Sequence, residues 1–242
     1  MENAVPITFW CVGLYASGST WIFNAAKKIA VAAGMNPGLV SCFATNRQDL
    51  VFPRGSRTAI VKTHGLPGDV IDFLAGQSRA IWLSVRDPRD CIASLMTYQD
   101  CSFDEALEMT EDAAKTSLSI IELSQTIIFR YEDNFFDKSS TLDAIAASIG
   151  CGVAPNDRVR IFAETRRSAI EAFIGTFPTL SSVVTQPEPG HLVDTDSQWH
   201  THHIGRTGEV GRWRKLLSTS QTQIVNRKFE ETMKRFNYDI LS

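Results

Sequence analysis

A glycine-containing turn close to the N-terminus has the chemistry of an anion site. Residues 13–20 read Gly-Leu-Tyr-Ala-Ser-Gly-Ser-Thr, which matches the spacing G-x-x-x-x-G followed by two hydroxyl residues. Backbone N–H groups, hydroxyls and the start of a following helix together attract a small anion. A loop that binds nucleoside triphosphates would carry lysine where this chain has Ser19, so the turn has no side chain to contact the β- and γ-phosphates. A glycine turn that only joins a strand to a helix is the structural alternative.

Lys62 and His64 form a second pair of residues that could do chemistry. They stand two apart at the end of the apolar stretch 59–62, where an extended chain turns both side chains to the same side. An imidazole can accept a proton near neutral pH, so we predict that His64 is a general base. We predict that Lys62 reaches the same site. A histidine that merely ends a strand is the structural alternative.

The chain must bring these residues together through its strands and helices. Short apolar stretches predict strands at 7–13, 59–62, 80–85 and 127–129. Segments with helical spacing or helix-capping residues predict helices at 21–33, 90–98, 102–124, 140–149 and 218–235. This alternation predicts an α/β fold with three layers, α/β/α, around a central parallel sheet.

The polar segments that could do chemistry follow the predicted strands. They lie at 13–20, 62–64, 86–94 and 130–132, each directly after one strand. In open parallel sheets, ligands bind at the carboxyl ends of the strands. We therefore predict a single site at that edge of the sheet, built from all four segments.

Length and composition limit the kinds of protein that this chain can be. The 242 residues suit a single domain over 1–242, with 43% apolar and 21% charged residues. A formal net charge of −3 argues against nucleic acid as a partner. The five cysteines, an odd number without a C-x-x-C pair, indicate free thiols in a reducing compartment. No signal peptide or membrane-spanning stretch is evident, so we expect a cytoplasmic protein without a membrane partner.

The segment 176–204 lacks the periodicity of the rest of the chain. It contains three of the nine prolines and four of the five histidines. We predict a long loop that is mobile without ligands and that lines or covers the site. The closely spaced His200, His202 and His203 suggest metal binding, but no cysteine or carboxylate completes a ligand set. We therefore predict no metal site.

Five stretches resemble motifs of the sulfotransferases that use PAPS, 3′-phosphoadenosine 5′-phosphosulfate. They occur in the family's order at 17–21 (SGSTW), 62–64 (KTH), 86–94 (RDPRDCIAS), 130–133 (RYED) and 205–213 (GRTGEVGRW). In that family the first motif binds the 5′-phosphosulfate, the second carries the catalytic base and the third binds the 3′-phosphate. The matches extend over most of the chain, although each motif alone is short.

The resemblance implies a P-loop NTPase-like sulfotransferase fold and an enzyme that transfers a sulfuryl group from PAPS. The acceptor would be a hydroxyl of a small molecule or a carbohydrate, the product would be PAP (3′-phosphoadenosine 5′-phosphate), and no metal would be required. His64 would be the general base, with Lys62 beside the transferred group. Trp21 would stack on adenine. The residues implied to contact the cofactor are Ser17, Gly18, Ser19, Thr20, Trp21, Arg86, Ser94, Arg206, Thr207 and Gly208.

Two positions depart from the family's pattern. The lysine of its phosphate turn is replaced by Ala16, and the lysine of its C-terminal element is replaced by Thr207. Each replacement removes a positive charge from the cofactor site. We propose that Lys62 takes over part of the electrostatic role lost at position 16. Arg89, in contrast, is interpreted as a member of an ordinary surface ion pair.

Two other functions stay open from the sequence. One is a P-loop-type small-molecule kinase, which is disfavoured by Ser19 and by the lack of an apolar strand ending in an acid that could hold Mg²⁺. The other is a non-catalytic module of sulfotransferase fold that binds PAP or another nucleotide. Ala16 supports the module, whereas Lys62, His64 and Arg86 count against it.

Overall fold

A five-stranded parallel sheet forms the centre of the fold. The computed structural model describes residues 6–185, 191–203 and 208–240. The strands of the sheet are β1 (Ile7–Gly13), β2 (Leu39–Phe43), β3 (Thr58–Thr63), β4 (Ser78–Val85) and β5 (Thr126–Arg130). They lie in the spatial order β2-β3-β1-β4-β5, and every neighbouring pair is parallel. The predicted parallel sheet is confirmed, with β2 as an additional strand that the sequence pattern did not reveal.

Helices cover both faces of the sheet. In chain order they are α1 (Ser19–Ala32), α2 (Gly68–Gln77), α3 (Pro88–Tyr98), α4 (Phe103–Ile120), α5 (Ser140–Ile149), α6 (Pro155–Glu164), α7 (Arg167–Ile174), α8 (Trp213–Leu216), α9 (Thr219–Lys228) and α10 (Glu230–Arg235). Helices α1, α5, α6 and α7 contribute to one core, and the others contribute to the core on the opposite face. The predicted three-layer architecture is therefore confirmed. None of the helices that the structure describes is long and apolar enough to cross a membrane.

The central strand β1 is buried on both sides. Trp10 and Val12 pack into one core, whereas Phe9 and Cys11 pack into the other. Successive residues of a strand point to opposite faces, so an uninterrupted apolar run suits a strand that is covered on both faces. This position places the end of β1, and the turn that follows it, in the middle of the carboxyl edge of the sheet.

Two helices begin at this edge of the sheet. Gly18 precedes α1, and Asp87 precedes α3, where its carboxylate accepts the backbone N–H of Arg89 and Pro88 occupies the first helical position. Proline suits this position because its missing N–H would have no partner within the helix. The N-termini of α1 and α3 thus lie beside the ends of β1 and β4.

Helices α2, α6, α7 and α8 were not predicted from the sequence, and two further regions differ from the prediction. The helix predicted over 218–235 is divided into α9 and α10 at Phe229, whose backbone leaves the helical region and whose side chain is buried in the core. The predicted loop 176–204 contains two antiparallel strands, β6 (Val183–Thr185) and β7 (Leu192–Asp194). Strands of three residues are too short to produce a recognisable alternation. The mobility of this segment stays a prediction.

The cysteines are all free thiols, as predicted. Cys11 and Cys91 are buried in the two cores, and burial raises the pKa of each thiol. A buried protonated thiol is a poor nucleophile, so these two cysteines act as apolar packing groups.

Candidate active site

A cavity of about 670 Å³ opens at the carboxyl edge of the sheet. It is lined by side chains that follow β1, β3 and β4, and by parts of the segments 191–203 and 208–212. It collects most of the residues that the sequence predicted, namely Gly18, Ser19, Thr20, Trp21, Lys62, His64, Arg86, Ser94 and Gly208. Arg206 and Thr207, which were also predicted to contact the cofactor, lie outside the described residues.

The turn 13–20 requires glycine at two positions and directs a helix towards the cavity. A Cβ atom at Gly13 would lie 2.2 Å from Ser84 Oγ. Gly18 has a φ of +90°, and a Cβ there would lie 2.9 Å from the Phe135 ring. Helix α1 starts immediately after Gly18 and has no acidic residue in its first turn. Its free N–H groups and the positive end of its dipole therefore favour an anion at this end of the cavity.

Ser17 does not line the cavity, and its predicted contact with the cofactor stays a prediction. Its side chain is fully buried, and its hydroxyl donates to the Leu14 carbonyl and lies 2.7 Å from the hydroxyl oxygen of Ser84. Both hydrogen-bond partners of the Ser17 hydroxyl are therefore within the protein. Ser17 therefore shapes the turn, and the neighbouring Ala16, at a φ of +54°, contributes to the cavity wall.

His64 is held in one tautomer by the end of β1. Its Nδ1 lies 2.8 Å from the Gly13 carbonyl oxygen, which can only accept, so Nδ1 carries the proton of the neutral ring. Nε2 then has a lone pair, and it lies 3.4 Å from Lys62 Nζ. Burial and, after it, the charge of Lys62 lower the pKa of His64 to about 3, which keeps the ring neutral at physiological pH. The side chain thus offers a proton acceptor of fixed orientation.

Lys62 places a buried positive charge beside this imidazole. The side chain is only 2% exposed, and its ammonium lies 4.8 Å from the centre of the Phe43 ring. Burial lowers the pKa of Lys62 to about 8, so the group is still largely protonated at pH 7. No carboxylate in the described part of the chain forms an ion pair with it. A buried ammonium without a carboxylate is stabilised by an anionic ligand.

Arg86 lies on the other side of the phosphate turn, because β1 separates β3 from β4. Its two terminal nitrogens donate to the carbonyl oxygens of Ala16 at 3.0 Å and of Glu209 at 3.1 Å. Its guanidinium lies 4.2 Å from the centre of the Tyr131 ring. Its Nε is buried and has no hydrogen-bond partner among the described residues. Arg86 therefore joins the turn to the C-terminal segment, and its third donor, Nε, is buried and unused.

Asp90 is a further cavity residue, and its importance was missed in the sequence. It is 1% exposed and accepts the backbone N–H groups of Gly211 at 2.6 Å and of Trp213 at 2.9 Å. Burial raises the pKa of this carboxyl, and Arg86, whose Nη2 lies 4.0 Å away, opposes that effect. Asp90 therefore anchors the segment 208–213 at the cavity. The only sequence signal was its place four residues after Arg86.

The interpretation of Arg89 as a surface ion pair is wrong. Arg89 is 1% exposed, and its Nη2 lies 2.8 Å from Asp87 Oδ2. The indole of Trp213 packs over its guanidinium at 4.1 Å and removes the pair from solvent. Because Trp213 comes from a distant part of the chain, the burial of this pair could not be predicted from the local sequence.

Trp21 contributes an edge of the cavity while its polar atom is engaged elsewhere. Its Nε1 donates to the Thr165 carbonyl at 2.8 Å, and its ring meets Phe135 edge-on at 5.8 Å between centroids. Thr165 and Arg167 line the cavity next to it. Trp21 can therefore offer a planar apolar contact to a ligand, but no hydrogen bond.

All five histidines of the chain line this one cavity. His191 Nε2 lies 3.1 Å from His200 Nδ1, and the rings of His191 and His202 stack at 4.7 Å. The rings of His200 and His203 meet at 3.8 Å between centroids. Within the described ranges, no three His, Cys, Asp or Glu side chains are arranged to hold a metal ion. The histidines of 191–203 instead form a network of stacked and hydrogen-bonded rings.

A second cavity of about 620 Å³ adjoins the first. Tyr15, Phe43 and His64 line both cavities, and the Tyr15 ring stacks on the imidazole of His64 at 4.2 Å between centroids. Leu66 and Ile71 add apolar surface to the second cavity. His64 therefore lies in the wall between the two cavities.

The buried histidines should make the fold sensitive to acid. Burial and, after it, the charge of Lys62 lower the pKa of His200 to about 3, as they do for His64. Burial and neighbouring charges hold the pKa of His203 well below its usual value. An unfolded chain protonates each of these histidines near pH 6.5, whereas in the native protein His64 and His200 are protonated only near pH 3 and His203 only well below its usual range. Their contribution to stability is therefore complete above pH 6.5 and is lost as the pH falls towards 3.

We expect the free energy of unfolding in urea to fall between pH 7 and pH 5. Each histidine that stays neutral in the native state contributes at most about 1.4 kcal/mol per pH unit to this slope. His200→Gln removes one titrating group, so the variant should show a shallower pH dependence than the wild-type protein. A wild-type unfolding midpoint that does not change between pH 7 and pH 5 would contradict the prediction.

The fold is similar to that of solved sulfotransferase structures. Mouse sulfotransferase SULT7A1 complexed with PAP matches with a TM-score of 0.62 at 18% identity, over 98% of this chain and 87% of that chain. Retinol dehydratase in complex with androsterone and inactive cofactor PAP matches with a TM-score of 0.58 at 14% identity, over 96% and 83% of the two chains. Its complex with retinol and PAP gives the same values. Neither a protein-family model nor a curated protein sequence matches the chain. The chain has the fold of the PAPS-dependent sulfotransferases.

Proposed function

We propose that the protein is a PAPS-dependent sulfotransferase that passes a sulfuryl group to the hydroxyl of a small molecule or a carbohydrate. The observation that carries the proposal is the pair of Lys62 and His64 beside the phosphate turn. This pair offers a buried ammonium and an unprotonated imidazole nitrogen, 3.4 Å apart, at the wall of one cavity. The sulfotransferase fold and its solved relatives complexed with PAP support the proposal.

The two charged ends of the cofactor would lie on opposite sides of β1. The 5′-phosphosulfate would bind at the N-terminus of α1, against the hydroxyls of Ser19 and Thr20 and the ammonium of Lys62. The 3′-phosphate would bind at Arg86, whose planar guanidinium suits phosphate oxygens, and at Ser94. Three residues of the C-terminal segment would complete this end, namely Arg206, Thr207 and Gly208. The adenine would contact the exposed edge of Trp21.

In the transfer step, His64 would accept the proton of the acceptor hydroxyl at Nε2. The Gly13 carbonyl already accepts the proton on Nδ1, so it would stabilise the imidazolium that forms. Lys62 would leave its contact with Nε2 when the anion binds, and it would stabilise the negative charge that develops on the departing 5′-phosphate oxygen. Because Ala16 offers no charge, Lys62 would carry much of this electrostatic role.

The acceptor would reach His64 along the wall shared by the two cavities. Tyr15 and Phe43 flank His64 on this wall, and both present aromatic surface. Such surface suits the apolar body of a hydroxyl-bearing molecule, whose hydroxyl would then lie at Nε2 of His64. The solved retinol dehydratase complexes hold androsterone in one case and retinol in the other.

A thermal-shift experiment with three samples tests the proposal against its two alternatives. We expect PAP to raise the melting temperature and ATP with Mg²⁺ to leave it nearly unchanged, because a ligand that binds only the native state stabilises it by mass action. Labelled PAPS, mixed with a panel of phenols, alcohols and sugars, then tests for transfer. Stabilisation by ATP–Mg²⁺ alone would indicate a kinase, and binding of PAP without transfer to any acceptor would indicate a non-catalytic module.

A further inference from the structure

One face of α1 is bonded to the segment 191–203. Thr20 Oγ1 lies 3.3 Å from His203 Nε2 in the first turn of the helix. Asn24 and Lys27, on the same face, donate to backbone carbonyls of the segment. Residues spaced by three and four positions lie above one another on a helix, so these contacts form one continuous row. The segment is thus docked along the helix that starts at the phosphate turn.

The hydrogen bonds of His203 select one neutral tautomer. The backbone N–H of His200 lies 2.9 Å from His203 Nδ1 and can only donate. Nδ1 must therefore hold the lone pair, and the proton of the neutral ring lies on Nε2. Burial, followed by the charges of His200, Lys62, His64 and His191, lowers the pKa of His203 and keeps the ring neutral. His203 Nε2 consequently donates to Thr20 Oγ1, and it cannot accept from it.

This donation determines what the Thr20 hydroxyl can do. A hydroxyl has one hydrogen to donate and lone pairs to accept with, and a lone pair is used by His203. The hydrogen of Thr20 has no acceptor within hydrogen-bond distance among the described residues. Thr20 is 3% exposed and lines the cavity next to Ser19 at the start of α1. Its O–H is therefore available to donate to an anion that occupies the turn.

We propose that His203 is a positioning residue that commits the Thr20 hydroxyl to donate to the 5′-phosphosulfate. The proposal rests on the proposed function, which brings that anion to the turn. A hydrogen bond to an ionised oxygen is stronger than one between neutral groups, so a correctly oriented hydroxyl adds to the affinity. The contribution matters in this chain because Ala16 supplies no charge to the turn. Docking of 191–203 on α1 is thereby linked to recognition of the cofactor's 5′ end.

Two substitutions of His203 separate its two hydrogen bonds. Asparagine can place an oxygen near the position of Nδ1 and accept from His200, but it has no donor that reaches Thr20. Glutamine can place its amide nitrogen near the position of Nε2 and donate to Thr20. The affinities of PAP and of adenosine 3′-phosphate, which lacks the 5′ group, are measured by calorimetry for both variants and for the wild-type protein. Melting temperatures without ligand report whether each variant is folded.

We expect His203→Asn to weaken PAP binding about 5- to 10-fold and to leave the affinity of adenosine 3′-phosphate unchanged. His203→Gln should bind PAP within about twofold of the wild-type protein. In a Thr20→Val background, which has no hydroxyl, His203→Asn should have no additional effect, because His203 acts through Thr20.

Three results would overturn the inference. The first is an unchanged PAP affinity in His203→Asn, and the second is an equal loss for the two ligands, which would indicate a general structural role. The third is a loss of PAP affinity on His203→Asn that is as large in the Thr20→Val background as in the wild-type protein, which would show that His203 acts independently of Thr20. A wild-type protein that binds no PAP would instead refute the proposed function, and this inference with it.

Discussion

Replacing His64 by asparagine is expected to lower the single-turnover rate of sulfuryl transfer about 10²- to 10⁴-fold, the usual contribution of a positioned general base. The asparagine amide can still donate to the Gly13 carbonyl, as Nδ1 does at 2.8 Å in the wild-type protein. It has no basic nitrogen at the position of Nε2. PAP affinity should be nearly unchanged, because His64 acts on the acceptor's proton and not on the cofactor. His64→Ala should lose the same activity and also the bond to Gly13.

Lys62→Met is the comparison that separates the two members of the pair. Methionine keeps much of the length and the apolar contact with Phe43, but it removes the positive charge. This variant should lose both PAP affinity and transfer rate, since the charge acts on the bound anion and more strongly on the developing leaving group. Transfer by His64→Asn at a rate close to that of the wild-type protein would exclude His64 as the base, whatever the result for Lys62→Met.

Arg86→Ala is expected to weaken PAP binding by about 2–4 kcal/mol, or roughly 30- to 1000-fold in Kd. The reason is that the guanidinium, which lines the cavity, would form charge-assisted hydrogen bonds with the 3′-phosphate. Adenosine 5′-phosphate, which lacks the 3′-phosphate, should be affected much less. Titration calorimetry with the two nucleotides measures the difference.

Arg86 also supports the site, so its substitution needs a structural control. It donates to the carbonyl oxygens of Ala16 and Glu209, and both bonds are lost in Arg86→Ala. Arg86→Lys keeps a positive charge without the two-pronged donor, and it should lie between alanine and the wild-type protein in PAP affinity. Equal losses for the two nucleotides would show that Arg86 does not recognise the 3′-phosphate.

The sheet and its carboxyl edge were predictable from the sequence for a simple reason. Strands that are buried on both faces must be apolar throughout, so β1 and β4 appear as short apolar runs bounded by polar residues. The capping residues Ser102 and Glu105 likewise predict the start of α4. In the structure the side chain of Ser102 accepts the backbone N–H of Glu105, and the side chain of Glu105 accepts the backbone N–H of Ser102. Lys62, His64 and Arg86 follow the ends of such apolar runs, so the sequence predicts that they lie at one edge of the sheet. In the structure all three line one cavity.

The rest of the site depends on contacts between distant segments, which leave no local pattern. Asp90 binds the backbone of Gly211, 121 residues away, and Thr20 meets His203 across 183 residues. The hydroxyl of Ser17 likewise has a partner that the local sequence does not show, because Ser84 lies on β4. Side-chain identity showed which residues could bind an anion, but only the packing of β4 and of the segment 191–203 shows which of them line the cavity.

The left-handed backbone of Ala16 bears on how the turn can change during evolution. Alanine and lysine are both unbranched at Cβ, so they meet a similar steric penalty at a φ of +54°, about 1–2 kcal/mol relative to ordinary backbone. Replacing alanine by lysine therefore adds little conformational strain, and the longer side chain would extend into the cavity that Ala16 already lines. Gly18 in the same turn lacks this freedom, because a Cβ atom there would lie 2.9 Å from the Phe135 ring. A single replacement at position 16 can therefore add a positive charge to the turn or remove one, while the backbone conformation of the turn stays the same.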